Sequence, residues 1–286
     1  MDSSLVFHLL NGVLMIAIPL SLAIILTRRW KMGWRIVLVG AATFILSQIG
    51  HIPFNALMTW LLGKTALVNL SVQGALIFNA IFLGLSAGFF EEFFRYGMFR
   101  WWLKDAHTWR KGILAGVGHG GGEAIILGAL ALLSLIQLIA ARNMDLSTVY
   151  SGTTLQIAQS QVLTYWSMPW YDSILGSVER FFTIVIQISL AVIVVQSFIL
   201  KQKRWLWLAI GYHALIDAVS VYAVSKISTY WMEGIVGVFA LISLGIILIL
   251  RSTEPLEAAT SVTDTPLVTL PQVEPTSEQL DNSKYS

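Results

Sequence analysis

Seven apolar stretches dominate this chain, and each is long enough to cross a lipid bilayer as a helix. The hydrocarbon core of a bilayer is roughly 30 Å thick and a helix rises about 1.5 Å per residue, so about 20 apolar residues are enough. Backbone groups in that core must find their hydrogen bonds within the segment, as they do in a helix. The sequence therefore predicts an all-α, polytopic membrane helix bundle. Its seven spans lie near residues 5–27, 36–62, 74–102, 112–141, 174–200, 205–225 and 233–250.

Basic residues fall mainly on one side of this arrangement. They cluster between the first and second, the third and fourth, and the fifth and sixth spans, and tryptophans mark both interfaces. Loops rich in Lys and Arg stay in the cytoplasm. This asymmetry predicts an N-terminus outside the membrane and a C-terminus in the cytoplasm. The basic residues concerned are Arg28, Arg29, Lys31, Arg35, Lys104, Arg110, Lys111, Lys201, Lys203 and Arg204.

Two segments are too polar to span. Residues 143–173 mix aliphatic residues with Ser, Thr and Gln and contain YWSMPWY, which predicts an external loop resting on the membrane interface. Residues 252–286 combine acids, prolines, Ser and Thr with few large apolar groups, which predicts a disordered cytoplasmic tail. The predicted organisation is therefore a transmembrane helical domain over residues 1–251 and a disordered tail over residues 252–286.

Charge and cysteine content exclude several classes of function. The 16 acidic and 18 basic residues nearly cancel, and no basic patch is interleaved with aromatics, so nucleic acid is not an expected partner. The chain has no cysteine, which excludes thiol catalysis and a thiolate-held metal. Any metal would need His and carboxylate ligands.

Ionisable residues inside the predicted spans carry most of the functional information, because each costs roughly 2.5 to 3.5 kcal/mol on insertion. Counted along their helices, five of these residues, from three different spans, fall at one depth. Such agreement favours a shared polar site. The five are Glu91, His119, Glu123, His213 and Asp217. The other five are His51, Glu92, Arg95, Glu179 and Arg180, and His8 is predicted to lie at the interface.

Helical spacing strengthens the prediction of a shared site. His119 with Glu123, and His213 with Asp217, are separated by four residues, so each pair projects from one face of its helix. The stretch GVGHGGGEA places five glycines around His119. Glycine allows helix backbones to approach closely, so this run predicts that the fourth span packs against the third or opens locally for an extended peptide.

The arginine beside the two glutamates suggests a division of roles. Arg95 follows Glu91 by four residues and Glu92 by three, so it can neutralise either carboxylate and leave the other free to act. The alternative is an ion pair with a structural role alone.

The remaining ionisable residues in the spans can also be interpreted as having structural roles. His51 lies beside Pro53 at a predicted kink, where it can simply hydrogen-bond a neighbouring helix. Glu179 and Arg180 are predicted to point to different faces, as a structural or gating pair near the external end.

Three motifs, EEFFR, GHGGGE and HALID, occur in this order on the predicted membrane helices and resemble the bacterial YhfC family. That family is grouped with the CPBP (CAAX protease and bacteriocin-processing) and PrsW-type membrane endopeptidases. In the CPBP pattern Glu91 and Glu92 match the glutamate pair, His119 the second-helix histidine, and His213 with Asp217 the last motif. Two features depart from it: Arg95 follows after only two residues, as lysine does in PrsW, and Glu123 matches the second-motif glutamate of PrsW.

The resemblance implies an intramembrane endopeptidase, a membrane hydrolase that cuts a membrane protein or lipidated peptide in a bacterial plasma membrane. It implies catalytic roles for Glu91, Glu92, His119 and His213. Supporting roles fall to Arg95, Glu123, Asp217 and His51.

Two mechanisms are compatible with these residues. In a metal-free version, which the resemblance favours, a glutamate and His119 activate water, and His213 with Asp217 position the carbonyl or orient each other. In an intramembrane metalloprotease version, Zn²⁺ is held by His119, Glu123, His213 and Asp217, and a glutamate of the pair is the base.

Two other classes of function remain as alternatives. Chains of buried Glu, His, Asp and Arg also build the relays of proton- or ion-coupled transporters. A non-catalytic membrane scaffold could keep the cluster for packing.

Overall fold

The computed structural model describes residues 3–64 and 70–251, and every regular element in them is helical. The predicted tail, residues 252–286, lies outside the described residues. The elements are α1 (Ser3–Trp30), α2 (Arg35–Leu62), α3 (Val72–Gly97), a π-helical turn (Met98–Trp102), α4 (Trp109–Arg142), a 3₁₀ turn (Leu146–Thr148), α5 (Gly152–Ser167), α6 (Trp170–Ser173), α7 (Leu175–Ile199), α8 (Arg204–Ala223) and α9 (Thr229–Ile249).

The prediction of seven spanning helices is confirmed. Seven helical stretches among the described residues are long and apolar enough to cross a membrane: α1, α2, α3 with its π-helical turn, α4, α6 with α7, α8 and α9. Each predicted span overlaps one of them. Local signals fix two of the boundaries that frame the site. The Ser71 hydroxyl accepts from the Gly74 amide at the start of α3, and the Thr108 hydroxyl accepts from the Lys111 amide at the start of α4, as N-cap residues do.

The fifth spanning helix, α7, lies at the centre of the bundle. About three quarters of its most apolar window is buried, a larger share than in any other described spanning helix. Ile193 and Val194 are fully buried between neighbouring helices. A polar residue on this helix is therefore far from lipid and must find its partners inside the protein.

Glycines bring the helices that carry the site into backbone contact. A Cβ atom at Gly88 would lie 2.7 Å from the carbonyl oxygen of Ile210 on α8, and one at Gly84 would lie 2.4 Å from that of Ala214. These two glycines, four residues apart, line the face of α3 that packs on α8, as small residues do in membrane helices. The close approach places the glutamate pair of α3 beside His213.

The glycine-rich run of α4 packs differently from the prediction. A Cβ atom at Gly118 would lie 2.1 Å from the carbonyl oxygen of Val37 on α2, and one at Gly120 would lie 2.7 Å from Cβ of Gln187 on α7. The glycines of the run therefore pack on α2 and α7, and the run reaches α3 through the side chain of His119. It stays helical throughout, without the local opening that the sequence offered as the alternative.

Residues 143–173 form helices rather than the predicted loop. No residue of α5 is buried, and its mixed polar and apolar composition lacks the long apolar run by which hydropathy identifies a spanning helix. His8 ties this segment to α1. Its Nε2 lies 3.2 Å from the carbonyl oxygen of Tyr165, and its ring stacks on the Tyr165 ring at 3.8 Å. His8 is thus buried in a contact between helices, and its position at the membrane interface stays a prediction.

Candidate functional site

Glu91 is the point at which the predicted site residues converge. Its Oε2 lies 3.2 Å from Nε2 of His119 and 3.9 Å from Nε2 of His213. Its carboxylate is only 9% exposed, and the His119 side chain is fully buried. Helices α3, α4 and α8 thus bring one carboxylate and two imidazoles into one buried cluster, as the shared depth of these residues predicts.

Glu92 faces a different set of partners although it is the next residue. Its Oε1 accepts a hydrogen bond from Nη1 of Arg95, and Nδ1 of His213 lies 2.7 Å from the same oxygen. Glu92 and Arg95 are both completely buried. The arginine therefore pairs with Glu92, and its positive charge compensates the negative charge of that buried carboxylate.

His213 lies between two carboxylate groups. While Nδ1 contacts Glu92, Nε2 lies 3.6 Å from Oδ2 of Asp217, one helical turn further along α8. The Asp217 side chain is 36% exposed, so this residue forms the accessible edge of the cluster. An imidazolium at His213 would donate an N–H toward each side, which fits both contacts.

Glu123 does not join the histidines, in contrast to the prediction for this residue. Its Oε1 accepts from Nη1 of Arg180 at 2.6 Å, and Nη2 of Arg180 donates to Glu179. The two neighbours on α7 therefore do not point apart, because the long arginine side chain reaches both carboxylates. This ion pair could not be predicted from sequence spacing, because it joins α4 to α7 across 57 positions.

Gln187 is a site residue that the sequence reading missed. Its Oε1 accepts from Nη2 of Arg95 at 2.5 Å, and its Nε2 lies 3.3 Å from Oε2 of Glu91 and 3.2 Å from Oε2 of Glu123. The only signal in the sequence is an amide side chain in the apolar run IVIQISL. Because this run belongs to the most buried helix, the amide must be satisfied internally.

His51 is connected to the cluster through a second missed residue, Gln48. The Gln48 amide donates to Oε1 of Glu91 at 3.0 Å, and Nδ1 of His51 lies 3.4 Å from Oε1 of Gln48. Nε2 of His51 also lies 3.1 Å from the Ser86 hydroxyl. His51 is thus linked to Glu91 through Gln48.

The predicted zinc ligands are not arranged as a metal site. His nitrogens and carboxylate oxygens are the donors that zinc takes in a chain without cysteine. Glu123, however, is turned to Arg180 and Gln187. Among the described residues no group of three or more His, Asp and Glu is arranged to hold a metal ion. The contacts instead pair each histidine with a glutamate: His119 with Glu91, and His213 with Glu92.

The arrangement can support acid and base chemistry inside the membrane. The Glu91 carboxylate has no guanidinium in contact among the described residues, and the imidazole of His119 lies beside its Oε2. A carboxylate paired with an imidazole in this way can accept a proton and pass it on. Glu92 and Arg95 form an ion pair whose charges cancel, and Glu92 contacts His213 at Nδ1. The two adjacent glutamates thus differ in their partners: Glu92 contacts Arg95 and His213, and Glu91 contacts His119.

Comparison with known proteins supports the resemblance seen in the motifs. The model of a family described as YhfC intramembrane metalloprotease matches residues 14–260. The chain is 29% identical over 225 residues to the uncharacterized membrane protein YhfC of Bacillus subtilis strain 168, which covers 77% of this chain and 85% of that protein. No solved structure matches the chain. The relation to the CPBP and PrsW-type enzymes stays a prediction. The chain is a multi-pass membrane protein and belongs to the YhfC intramembrane metalloprotease family.

Proposed function

We propose that this protein hydrolyses a peptide bond within the membrane and that Glu91 is the general base. The observation that carries the proposal is the difference between the two adjacent glutamates. Glu92 is occupied by Arg95 and His213, whereas Glu91 faces His119 and His213 without an arginine contact. A carboxylate in this setting is free to take a proton from water.

The proposed reaction uses the residues as they are arranged. A water molecule at Glu91 gives its proton to the carboxylate as its oxygen attacks the peptide carbonyl carbon. His119, 3.2 Å from Oε2 of Glu91, orients the carboxylate and the water. The N–H of His213 that faces Asp217 and Glu91 stabilises the developing oxyanion. Collapse of the tetrahedral intermediate breaks the C–N bond, and the proton on Glu91 passes to the leaving amine.

The proposed substrate is a polypeptide within the bilayer, either a membrane protein or a lipidated peptide. The cluster is buried among spanning helices, and its accessible edge is Asp217. The proposed location is the bacterial plasma membrane, which follows from the bacterial relative rather than from the fold.

Cleavage of a quenched fluorescent transmembrane peptide by the purified protein in nanodiscs tests this function. Glu91→Gln keeps the shape of the side chain but removes the base, and we expect turnover to fall by about 10² to 10⁴-fold with an unchanged melting temperature. Glu233→Gln is the control, because this carboxyl lies on α9 and its charged neighbours are Glu179 and Arg180 rather than Glu91 and the two histidines. Full turnover by Glu91→Gln would reject the assignment.

The role of zinc is tested on the same preparation. The described contacts supply a base and donors without a metal, so we expect turnover to survive dialysis against EDTA and zinc to be substoichiometric in the purified protein. Loss of turnover on chelation, with recovery on adding zinc, would overturn the metal-free mechanism and favour a rearranged site that uses the two histidines as ligands.

One observation favours an ion-coupled transporter as a second candidate. The polar contacts continue beyond the cluster from Glu91 through Gln187 to Glu123 and Arg180, and such chains conduct protons in transporters. Proton flux into vesicles containing the protein distinguishes the candidates. Flux that is lost in Glu91→Gln, in a preparation that cuts no peptide, would replace the peptidase with the transporter.

A further inference from the structure

Three polar side chains form a ladder along α2 that leads away from Glu91 and that the proposed chemistry does not use as a whole. Gln48, His51 and Asn55 share one face of the helix, at the spacing of successive turns. The Gln48 amide lies 3.0 Å from Oε1 of Glu91, Nδ1 of His51 lies 3.4 Å from Oε1 of Gln48, and Nδ2 of Asn55 lies 2.8 Å from Nε2 of His51. We name these three residues the α2 ladder.

The hydrogen bonds of the α2 ladder all run in one direction. Because the Asn55 amide can only donate through Nδ2, Nε2 of His51 accepts and Nδ1 carries the proton that goes to Oε1 of Gln48. Gln48 then donates to Glu91. The far end of the ladder is therefore an acceptor, Oδ1 of Asn55, which is buried and has no hydrogen-bond partner among the described residues. A ligand at this end must supply an N–H or O–H group.

The same helix also lacks one backbone donor. Pro53 lies inside α2 and has no N–H, so it cannot bond the carbonyl of Ile49 one turn earlier. Unpaired acceptors in the hydrocarbon region are costly unless something pairs with them. The three ladder residues are only half-buried, so their side chains lie near the surface of the bundle, and a ligand would contact Oδ1 of Asn55 after a small rotation of that side chain.

Aromatic side chains flank the α2 ladder. Phe90 stacks on His51 with ring centroids 5.6 Å apart, and Phe54 packs on Phe90 at 5.2 Å. The ladder therefore offers hydrogen-bond acceptors beside an apolar wall, which suits a chain with a polar backbone and apolar side chains.

We propose that the α2 ladder binds the backbone of an extended polypeptide segment next to the bond that is presented to Glu91. The identity of the ligand as a polypeptide rests on the proposed function. A segment unwound for hydrolysis has N–H groups without helical partners, and each needs an acceptor inside the membrane. From Gln48 to Asn55 the helix rises about 10 Å, which matches about three residues of extended chain.

Binding of two synthetic transmembrane peptides tests the α2 ladder without requiring cleavage. Both are Leu-Ala helices of about 23 residues, enough to span the bilayer, and one carries a central Gly-Pro that unwinds the helix. The probe is the peptide itself, labelled with a fluorophore and titrated with the protein in nanodiscs. We expect the wild-type protein to bind the Gly-Pro peptide more tightly than the uninterrupted one.

Variants of the ladder define the contact. Asn55→Leu removes the terminal acceptor, and His51→Phe keeps a ring against Phe90 but breaks the chain of hydrogen bonds. We expect each to weaken binding of the Gly-Pro peptide by about 5 to 10-fold, the loss typical of one hydrogen bond. Thr43→Val is the matched control. This buried α2 hydroxyl bonds only the carbonyl of Val39 in its own helix, so its removal should leave the affinity unchanged.

The outcomes separate this inference from the proposed function. Equal affinity for the two peptides, or unchanged affinity in both ladder variants, would overturn the α2 ladder as a peptide site. Binding through the ladder in a preparation that cuts no peptide would count against the peptidase and leave the peptide site standing. Cleavage with a wild-type KM in Asn55→Leu would reject the ladder alone.

Discussion

At the scale of single residues, the environment decides what two identical side chains do. Glu91 and Glu92 are chemically the same and adjacent in the chain, and both are buried. Consecutive helical residues point about 100° apart, so one carboxylate meets Arg95 and the other meets His119. The arginine stabilises the ionised form of Glu92 by direct contact. The side chain of Glu91 instead contacts histidine and glutamine side chains.

Replacement of the buried arginine should therefore reduce the stability of the fold, and not only the catalytic turnover. Arg95→Met leaves the Glu92 carboxylate buried without its cation, which typically costs about 3 to 5 kcal/mol. We expect a lower melting temperature in detergent and a reduced folded yield. The double variant Arg95→Met/Glu92→Met should recover part of the loss, because an apolar pair can replace a buried ion pair.

Arg35→Ala is the control for this comparison. Arg35 pairs with Asp105 at 3.4 Å, but both side chains are mostly exposed, and exposed pairs contribute little. Equal melting temperatures for Arg95→Met and Arg35→Ala would show that the buried pair has no structural role.

At the scale of helices, glycine sets the distances on which the site depends. Gly84 and Gly88 let α3 approach the backbone of α8, and Gly118 lets α4 approach that of α2. The side chains of Glu91, His119 and His213 can reach one another only because these backbones are close. Membrane helices gain little from the hydrophobic effect, so close packing of this kind supplies much of their association.

A single methyl group at Gly118 should disturb the site from outside it. Its Cβ would overlap the backbone carbonyl of Val37 at 2.1 Å, and backbone cannot move aside as a flexible side chain can. We expect Gly118→Ala to lower the melting temperature, at a cost of about 1 to 3 kcal/mol, and to reduce turnover as His119 shifts.

Gly211→Ala on α8 is the matched control. A Cβ at Gly211 would meet nothing within 4 Å, and alanine in a helix is mildly favourable relative to glycine. We expect unchanged or slightly higher stability. A melting temperature for Gly118→Ala as high as that of Gly211→Ala would contradict the close contact between α2 and α4.

At the scale of the whole molecule, the distribution of charges predicts the orientation of the bundle. Helix α4 has 34 residues, about 51 Å at about 1.5 Å per residue, which exceeds the hydrocarbon core of a bilayer. The segments before and after it must then lie on opposite sides of the membrane. The basic residues before α4 predict that this side is the cytoplasm.

Labelling of single cysteines tests the orientation, and the chain has no native cysteine to interfere. Lys104→Cys lies before α4 and Ser151→Cys after it, and both positions are exposed. We expect a membrane-impermeant maleimide to label only position 151 in intact cells, and position 104 only after permeabilisation. Labelling of position 104 from outside would reverse the predicted topology.

The sequence by itself determined the features that depend on local composition and on short spacings. Seven apolar runs predicted seven spanning helices, because the bilayer imposes both length and backbone satisfaction on each segment. The helical period placed His213 and Asp217 on one face, and the structure holds them 3.6 Å apart. The cost of charge at membrane depth singled out the residues of the cluster.

Only the tertiary structure decided which helices meet and which groups pair across them. Sequence spacing cannot show that α4 packs on α2 and α7, that Glu123 bonds Arg180, or that Gln187 bridges Arg95 to Glu91. These contacts join residues 57 to 96 positions apart. Many arrangements of seven helices bury the same apolar faces, and backbone contact at a few glycines selects this one. The different surroundings of Glu91 and Glu92 follow in part from that selection, because the histidine partners come from α4 and α8 whereas Arg95 lies on α3 itself.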